Sequence, residues 1–340
     1  MIRIKWEGGV FMPFEILRQD ITKMAVDAIV NSTSAEPSMG GGADYMIHLA
    51  AGPKLLEARH RLGVLEVGQA VLTEGYGLLA KYVIHVLAPI YVDGRQGEHQ
   101  GLYDTYSHAL KLAQSQNIQS LAMPLIGTGA FAFPRGEALE TALQAIKAFL
   151  ANNEMQIYLV VYDEAAYQIS RERFNSVRSY LDNYHEKDLS EKISLRAEIM
   201  PSMRRSRPQI DREKRPRTLA GLMNTIGETF SACLLRLIDE KGLDDVTVYK
   251  KANLDRKLFS KIRSHTKYQP SKQTAIALAL ALELNLDETQ DFIGKAGFAL
   301  SPSQAFDLII QYFIEANQYD IYEINQALFA FGEKTLGNMT

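Results

Sequence analysis

The stretch Ala28-Ile29-Val30-Asn31-Ser32-Thr33-Ser34-Ala35-Glu36-Pro37-Ser38-Met39-Gly40-Gly41-Gly42-Ala43-Asp44-Tyr45-Met46-Ile47-His48-Leu49-Ala50-Ala51 decides the fold. Ala28–Asn31 is a short apolar run of strand length, and Asp44–Ala51 carries a helical spacing of apolar residues. Between them lie three consecutive glycines. The same order recurs at Ser120–Ile126, a strand pattern, followed by Gly127-Thr128-Gly129-Ala130-Phe131-Ala132-Phe133-Pro134 and a helical stretch, Arg135–Leu150. Glycine lets a backbone approach an anion closely and turn successive N–H groups toward it. A helix that follows offers its unpaired first N–H groups to the same ligand. One such loop reads equally well as a tight turn. Two of them, each between a strand and a helix, point to phosphate binding at the carboxyl ends of the strands. No lysine follows either loop in the Walker order, and GxGxxG after a strand is absent, so neither a P-loop nor a dinucleotide fingerprint is expected.

Outward from these loops, strands are expected at Phe14–Leu17, Ala70–Thr73, Tyr82–Leu87 and Gln156–Tyr162, with further helices at Gly101–Gln116 and Glu164–Tyr184. Most of the strands are continuous apolar runs, the pattern of a sheet covered on both faces. The fold class is therefore α/β: an α/β/α three-layer sandwich with a mostly buried mixed sheet. Residues 186–216 are rich in arginine and contain Pro201, Pro208 and Pro216, which reads as a basic flexible linker. Residues 217–340 are expected to form a small all-α domain, with helices at Leu222–Lys241, Val246–Ala252, Asp255–Ser264, Ser271–Leu284, Asp287–Ala296 and Ser301–Ala316. Glu7-Gly8-Gly9 can be encoded by codons that read AGGAGG just upstream of Met12. Residues 1–11 are accordingly expected to be a translated leader, and 12–185 to form the α/β domain.

The 340 residues are 46% apolar and 23% charged, a globular composition with room for two cores. The longest apolar run, Ala275–Leu282, falls far short of the ~20 residues of a membrane span. No amino-terminal apolar segment suggests secretion, and one cysteine, Cys233, excludes an internal disulfide or a cysteine-rich zinc site. The expected setting is cytoplasmic, without a membrane, metal or cofactor. The net charge of −3 conceals an uneven distribution. Arg196–Arg217 holds eight basic and three acidic residues, and Val246–Lys272 eight basic and one acidic, whereas residues 273–340 hold two basic and nine acidic. A positive centre beside an acidic tail suggests a polyanionic partner or an internal electrostatic contact.

From about Pro13 to Asp163 the chain resembles a macrodomain of the MacroD type. The resemblance rests on Asp20-Ile21-Thr22, Val26-Asp27-Ala28-Ile29-Val30-Asn31, Gly40-Gly41-Gly42-Ala43-Asp44, Ile47-His48, Ala50-Ala51-Gly52, Gly68-Gln69-Ala70, Gly75-Tyr76, Ala80-Lys81-Tyr82-Val83-Ile84-His85 and the Gly127–Pro134 loop. It implies binding of ADP-ribose or an ADP-ribosylated substrate, and hydrolysis of an ADP-ribosyl ester on protein, nucleic acid or O-acetyl-ADP-ribose. By position, Asp20 would accept the adenine amino group beside Ile21. Gly40, Gly41 and Gly42, with Gly127, Thr128, Gly129, Ala130 and Phe131, would wrap the diphosphate. Asn31 would touch the distal ribose, Phe131 would pack over it, and Tyr162 either flanks the adenine or belongs to the core. Asp44 would activate water or orient the ribose, although Asp is also a favoured helix cap. Ser34 and Met39 stand where the family has Asn and Gly, so binding without turnover is the alternative. His48 and His85 read as satisfied core histidines.

Val248 to Arg263 resembles the helix-turn-helix of phage-repressor (XRE/Cro) proteins, with Asn253 at the turn. The resemblance implies that Arg256, Lys257, Lys261, Arg263 and Lys267 contact nucleic acid; the other reading is a solvated helix face. Tyr249 stands where such motifs have a small residue. The leading reading is a bacterial-type hydrolase tethered to a nucleic acid or partner; the alternatives are an ADP-ribose-type sensor that regulates DNA binding and an adaptor with neither activity. Oligomeric state is left open.

Overall fold

The computed structural model describes residues 13–161, 175–182 and 228–336. The expected leader at 1–11, the linker at 186–216 and Tyr162 lie outside the described residues.

Six strands form one sheet: β1 (Phe14–Arg18), β2 (Ala28–Ser32), β3 (Ala70–Glu74), β4 (Tyr82–Val86), β5 (Ser120–Pro124) and β6 (Gln156–Val161). Their order is β1-β6-β5-β2-β4-β3. All pairs are parallel except β3–β4, so the sheet is mixed. Alternate residues of each strand serve opposite faces. Phe14, Ile16, Val30, Ile84, Leu121, Ile157 and Leu159 meet α3 (Glu98–Ser115) and α4 (Arg135–Leu150) in one core. Ile29, Val83, Ala122 and Val160 meet α1 (Ala43–Ala51) and α2 (Pro53–Leu62) on the other face. Helix α2 escapes the periodicity reading because its mean hydropathy is low and its buried residues are few: Leu55, Ala58 and Arg59.

Helix α5 spans 175–182. Its Val177 and Leu181 are buried with the carboxy-terminal helices rather than with the sheet, whereas the sequence reading placed this segment in the α/β domain. The carboxy-terminal part contains α6 (Phe230–Glu240), α7 (Asp245–Lys251), α8 (Arg256–Ser264), α9 (Lys272–Ala281), α10 (Leu286–Lys295), α11 (Ala305–Glu315) and α12 (Ile321–Ala330). The starts are explicit. Asp244, Asp255 and Ser271 accept from the third N–H of their helices, and Asn285 and Glu288 form a reciprocal capping box. Ser301, expected to open a helix, does not. Its amide donates to the buried Asp307 carboxylate at 2.8 Å, and the helix begins only at Ala305.

The two halves are packed together. The side-chain amide of Asn253 accepts from Phe14 N at 3.1 Å and donates to Phe14 O at 2.8 Å. This occupies the outer edge of β1, the edge strand, much as another strand would. Tyr322 packs on the Phe14 ring with centroids 5.3 Å apart, and Lys250 Nζ donates to Ala151 O at 2.6 Å. Asn253 sits at φ +53°, a conformation asparagine tolerates better than most residues.

Candidate active site

Both glycine loops leave the carboxyl ends of parallel strands, the first after β2 and the second after β5. Helix α1 begins after Gly42, which takes φ +58° and gives no side-chain cap. Asp44 is therefore not the helix cap. Its carboxylate turns back into the loop, where Oδ2 accepts from Gly40 N at 2.5 Å and Oδ1 accepts from Asn31 Nδ2 at 2.5 Å. The side chain is only 3% exposed. A carboxylate can accept further bonds beyond these two, so it retains capacity for a ribose hydroxyl or a water.

Asn31 is held from two sides. One amide hydrogen goes to Asp44 and the other points to His85 Nδ1 at 3.3 Å. Burial, with Arg59 and His48 nearby, pushes the His85 pKa down to about 3, so its ring is neutral near pH 7. Nδ1 then accepts from Asn31, the proton sits on Nε2, and Nε2 donates to Thr73 Oγ1 at 2.9 Å. With both amide hydrogens committed, Asn31 Oδ1 is buried and has no partner. An acceptor left open at the end of β2 is a place for a ligand hydroxyl, since burying it unpaired is costly.

Arg59, on α2, is fully buried. Its guanidinium donates to Ala35 O at 2.9 Å and to Gly63 O, with Ser34 O at 3.4 Å. It thus nails down the backbone of the first loop from beneath. Burial lowers its pKa, while the carboxylates of Asp44 and Glu36 oppose the shift. The Ser34 hydroxyl is committed within the loop: it donates to Glu36 O at 2.9 Å and lies 3.2 Å from Ser38 Oγ. His48 corrects the satisfied-histidine reading. Its Nε2 lies 3.6 Å from Asp44 Oδ1, and neither ring nitrogen has a hydrogen-bond partner. Burial lowers its pKa, with Asp44 opposing and Arg59 assisting.

In the second loop, Gly127 takes φ +87°, and a Cβ there would lie 2.8 Å from the Phe133 ring. Gly129 has open space around it. Thr128 Oγ1 donates to Leu125 O at 2.9 Å, Ala130 is exposed and Phe131 half-buried. Tyr91 N donates to Phe131 O at 2.8 Å, tying in the 88–97 segment. Glu98 organises that segment. Its carboxylate accepts from Val92, Asp93 and Gly94 N at 3.2 Å each and from Gln96 N at 2.6 Å. These backbone donors outweigh the burial that opposes them and hold its pKa at about 2. Asp20 caps a 3₁₀ turn, Ile21–Lys23, and accepts from Thr22 N at 3.0 Å and Thr22 Oγ1 at 2.7 Å. Those hydroxyl and amide bonds lower its pKa although burial opposes them. Ile21 is buried beside it.

Asp44, Asn31 and the two glycine loops are thus brought together at one end of the sheet. Sequence reasoning missed Arg59, Thr73 and the roles of His48 and His85, which come from α2, β3, α1 and β4 and share no sequence pattern. Among the described residues, no group of three or more His, Cys, Asp or Glu side chains could hold a metal ion. No helix there is long and apolar enough to cross a membrane.

The Macro domain family profile matches residues 30–142. An O-acetyl-ADP-ribose deacetylase of Escherichia fergusonii is 44% identical over 155 residues, which is 44% of this chain and 88% of that protein. The chain belongs to the macrodomain family. A macro domain-containing protein of Methanosarcina mazei is 43% identical over 165 residues, 46% of this chain and 88% of that protein. Among solved structures, the Oceanobacillus iheyensis macrodomain with ADP is 34% identical and covers 45% of this chain and 85% of its own, with a TM-score of 0.44. These matches cover less than half of this chain, and the family profile ends within α4 of the macrodomain.

The residues expected to meet nucleic acid lie on α8 and just beyond it. Arg256, Lys257 and Lys261 are exposed and stand along an open cleft between the macrodomain and the helical part. Arg263 pairs with Asp245, and Lys267 is exposed. Tyr249, bulky for its place in a repressor-like motif, is buried against Phe259, with ring centroids 5.9 Å apart, and faces the same cleft.

Proposed function

We propose that this macrodomain binds ADP-ribose and hydrolyses an ester on its distal ribose, with O-acetyl-ADP-ribose as the simplest substrate. The observation that carries the proposal is the pairing of the buried Asn31 and Asp44 at the carboxyl end of β2. Asn31 Oδ1 is an unpartnered acceptor, and the Asp44 carboxylate beside it is fixed by Gly40 N and Asn31 Nδ2. Asn31 accepts a ribose hydroxyl and thereby sets the sugar. Asp44 accepts a proton from a water aimed at the ester carbonyl. The water oxygen bonds to the acyl carbon, the bond from that carbon to the ribose oxygen breaks, and the ribose oxygen takes the proton that Asp44 removed from the water, which restores the carboxylate. The N–H groups of Gly41 and Gly42 and of the second loop hold the diphosphate, since the Gly40 N–H is committed to Asp44. Asp20 takes the adenine amino group with Oδ2, which Thr22 does not bond and Lys23 Nζ approaches to 3.6 Å.

The test is release of acetate from O-acetyl-ADP-ribose. Asp44→Ala lowers kcat by roughly 10²-fold or more, while ADP-ribose affinity, measured by calorimetry, changes little. Absence of turnover by the unaltered protein, with tight ADP-ribose binding, assigns the site to sensing instead.

A second reading concerns the helical part. Two short helices, α7 and α8, meet at a turn with left-handed Asn253, and this supports reading them as a repressor-like helix-turn-helix. Recognition of duplex DNA would place the exposed Arg256, Lys257 and Lys261 of α8 in the major groove, with the macrodomain wall of the cleft beside them. Salt-dependent binding of a duplex by the full chain, lost in Arg256→Ala, is the outcome this reading requires.

A further inference from the structure

The cleft that holds Arg256 lies at the opposite end of the sheet from Asp44. One wall is built from residues at the amino-terminal ends of β5 and β6, Gln119, Met155 and Gln156, and from the end of α4, Leu150 and Ala151. The other is built from α7, α8 and the turn between them. Its volume is about 860 Å³, within the range of small-molecule sites.

Three features give it a chemical character. Tyr268 and Tyr322, each half-buried, supply aromatic surface, backed by the nearly buried Tyr249, Met155, Leu254 and Leu258. Arg256 and Lys257 make no ion pair with any described residue, and Lys261 lies over the Tyr268 ring at 5.5 Å from its centroid. Against these stand two carboxylates. Asp255 caps α8 through Leu258 N at 2.7 Å, and Glu154 sits beside Tyr249. The third feature is Gln156, which is 1% exposed, lines the cleft, and has an Nε2 donor with no partner. A buried amide donor is expected to find an acceptor, so this one marks a place for a ligand oxygen or ring nitrogen.

We propose that the cleft is a second ligand site, which takes a nucleoside polyphosphate. The base stacks among the tyrosines, Gln156 donates to it, and Arg256, Lys257 and Lys261 take the phosphates. The site uses none of the residues assigned to ADP-ribose. Because its walls come from both halves of the chain, the ligand binds only the docked arrangement secured by Asn253 and Phe14, and it strengthens that docking by mass action.

The experiment uses the full chain with ADP-ribose held at saturation, so that the first site is occupied. ATP, GTP, CTP and UTP are titrated separately by calorimetry, with tripolyphosphate and adenosine as controls. At least one triphosphate binds with one-to-one stoichiometry, and tripolyphosphate and adenosine bind at least tenfold more weakly. The exposed double variant Arg256→Ala/Lys257→Ala loses at least tenfold in triphosphate affinity, and Gln156→Met loses affinity as well, while both keep their affinity for ADP-ribose. Four outcomes overturn the proposal: no triphosphate binds over ADP-ribose; the double variant binds as the unaltered protein does; tripolyphosphate binds as tightly as any triphosphate; or Arg256 proves necessary for duplex DNA and for no nucleotide.

Discussion

Gly40→Ala tests whether the first loop positions the reacting carboxylate. A Cβ built on Gly40 would lie 2.9 Å from Asp44 Oδ2, about 0.5 Å inside the 3.4 Å at which ordinary contact begins. The same oxygen accepts from Gly40 N at 2.5 Å, so the carboxylate cannot retreat without giving up that bond. A hydrogen bond to a charged group contributes about 1.5–3 kcal/mol. Partial loss of this order, felt where Asp44 meets the water, lowers kcat by roughly 10- to 100-fold at 1.36 kcal/mol per decade. Gly40 is exposed and its φ is not in the left-handed region, so the melting temperature moves little. Gly41 supplies the contrast: its Cβ would meet nothing within 4 Å in the protein, and only the diphosphate stands to feel it. In an acetate-release assay, Gly40→Ala reduces kcat with little change in KM, and Gly41→Ala raises KM with little change in kcat. An unaltered kcat for Gly40→Ala, or the same KM-type defect in both variants, would show that the loop does not hold Asp44 for chemistry.

Asn253→Ala removes both bonds to the Phe14 backbone and puts alanine at φ +53°, for a combined loss of about 2–4 kcal/mol. Calorimetric melting should show a lower or divided transition, and Asn253→Gly should recover only the backbone part; an unchanged melt would mean that the two halves are held elsewhere. Burial raises the Glu15 pKa to about 7, so the folded state binds a proton that the unfolded chain has released. That stabilisation is full below pH 4.5 and is lost as pH rises through 7. Glu15→Gln should therefore lose less of its melting temperature than the unaltered protein between pH 5 and pH 8, and equal losses would refute the assignment.

Much of the macrodomain half was legible in the chain. Apolar runs of strand length, alternating with 3.6-residue periodicity, give the sandwich, and five of the six strands run within two residues of the spans read from sequence. The sixth, at Gln156, was read through Tyr162 and is described to Val161. Two glycine loops between strand and helix give the phosphate end of the sheet. These are local signals, carried by neighbours in sequence, and they survive without a tertiary context. Asp44 and Asn31 were legible only through family resemblance, since a lone Asp at a helix start reads equally well as a cap.

What holds those two residues was not legible. Arg59, His85 and Thr73 come from three elements, and each alone reads as a surface cation, a core histidine or a strand threonine. Only packing brings them beneath the first loop, where burial keeps His85 neutral, its bonds to Asn31 and Thr73 set the tautomer, and Asn31 Oδ1 is left open. The helical half divides in the same way. Capping residues and periodicity announce most of its helices, but α12 received no bounds within the all-α stretch 217–340, and the sequence gives no sign of which face of α8 meets what. Charge alone suggested a polyanion at Arg256 and Lys257. Docking through Asn253 and Phe14, pairs 239 residues apart, is what turns that charge into one wall of a cleft with a macrodomain strand end as the other. Local propensity is written in the chain; which polar groups end up buried, paired or left open depends on contacts between distant segments, and those exist only once the chain has folded.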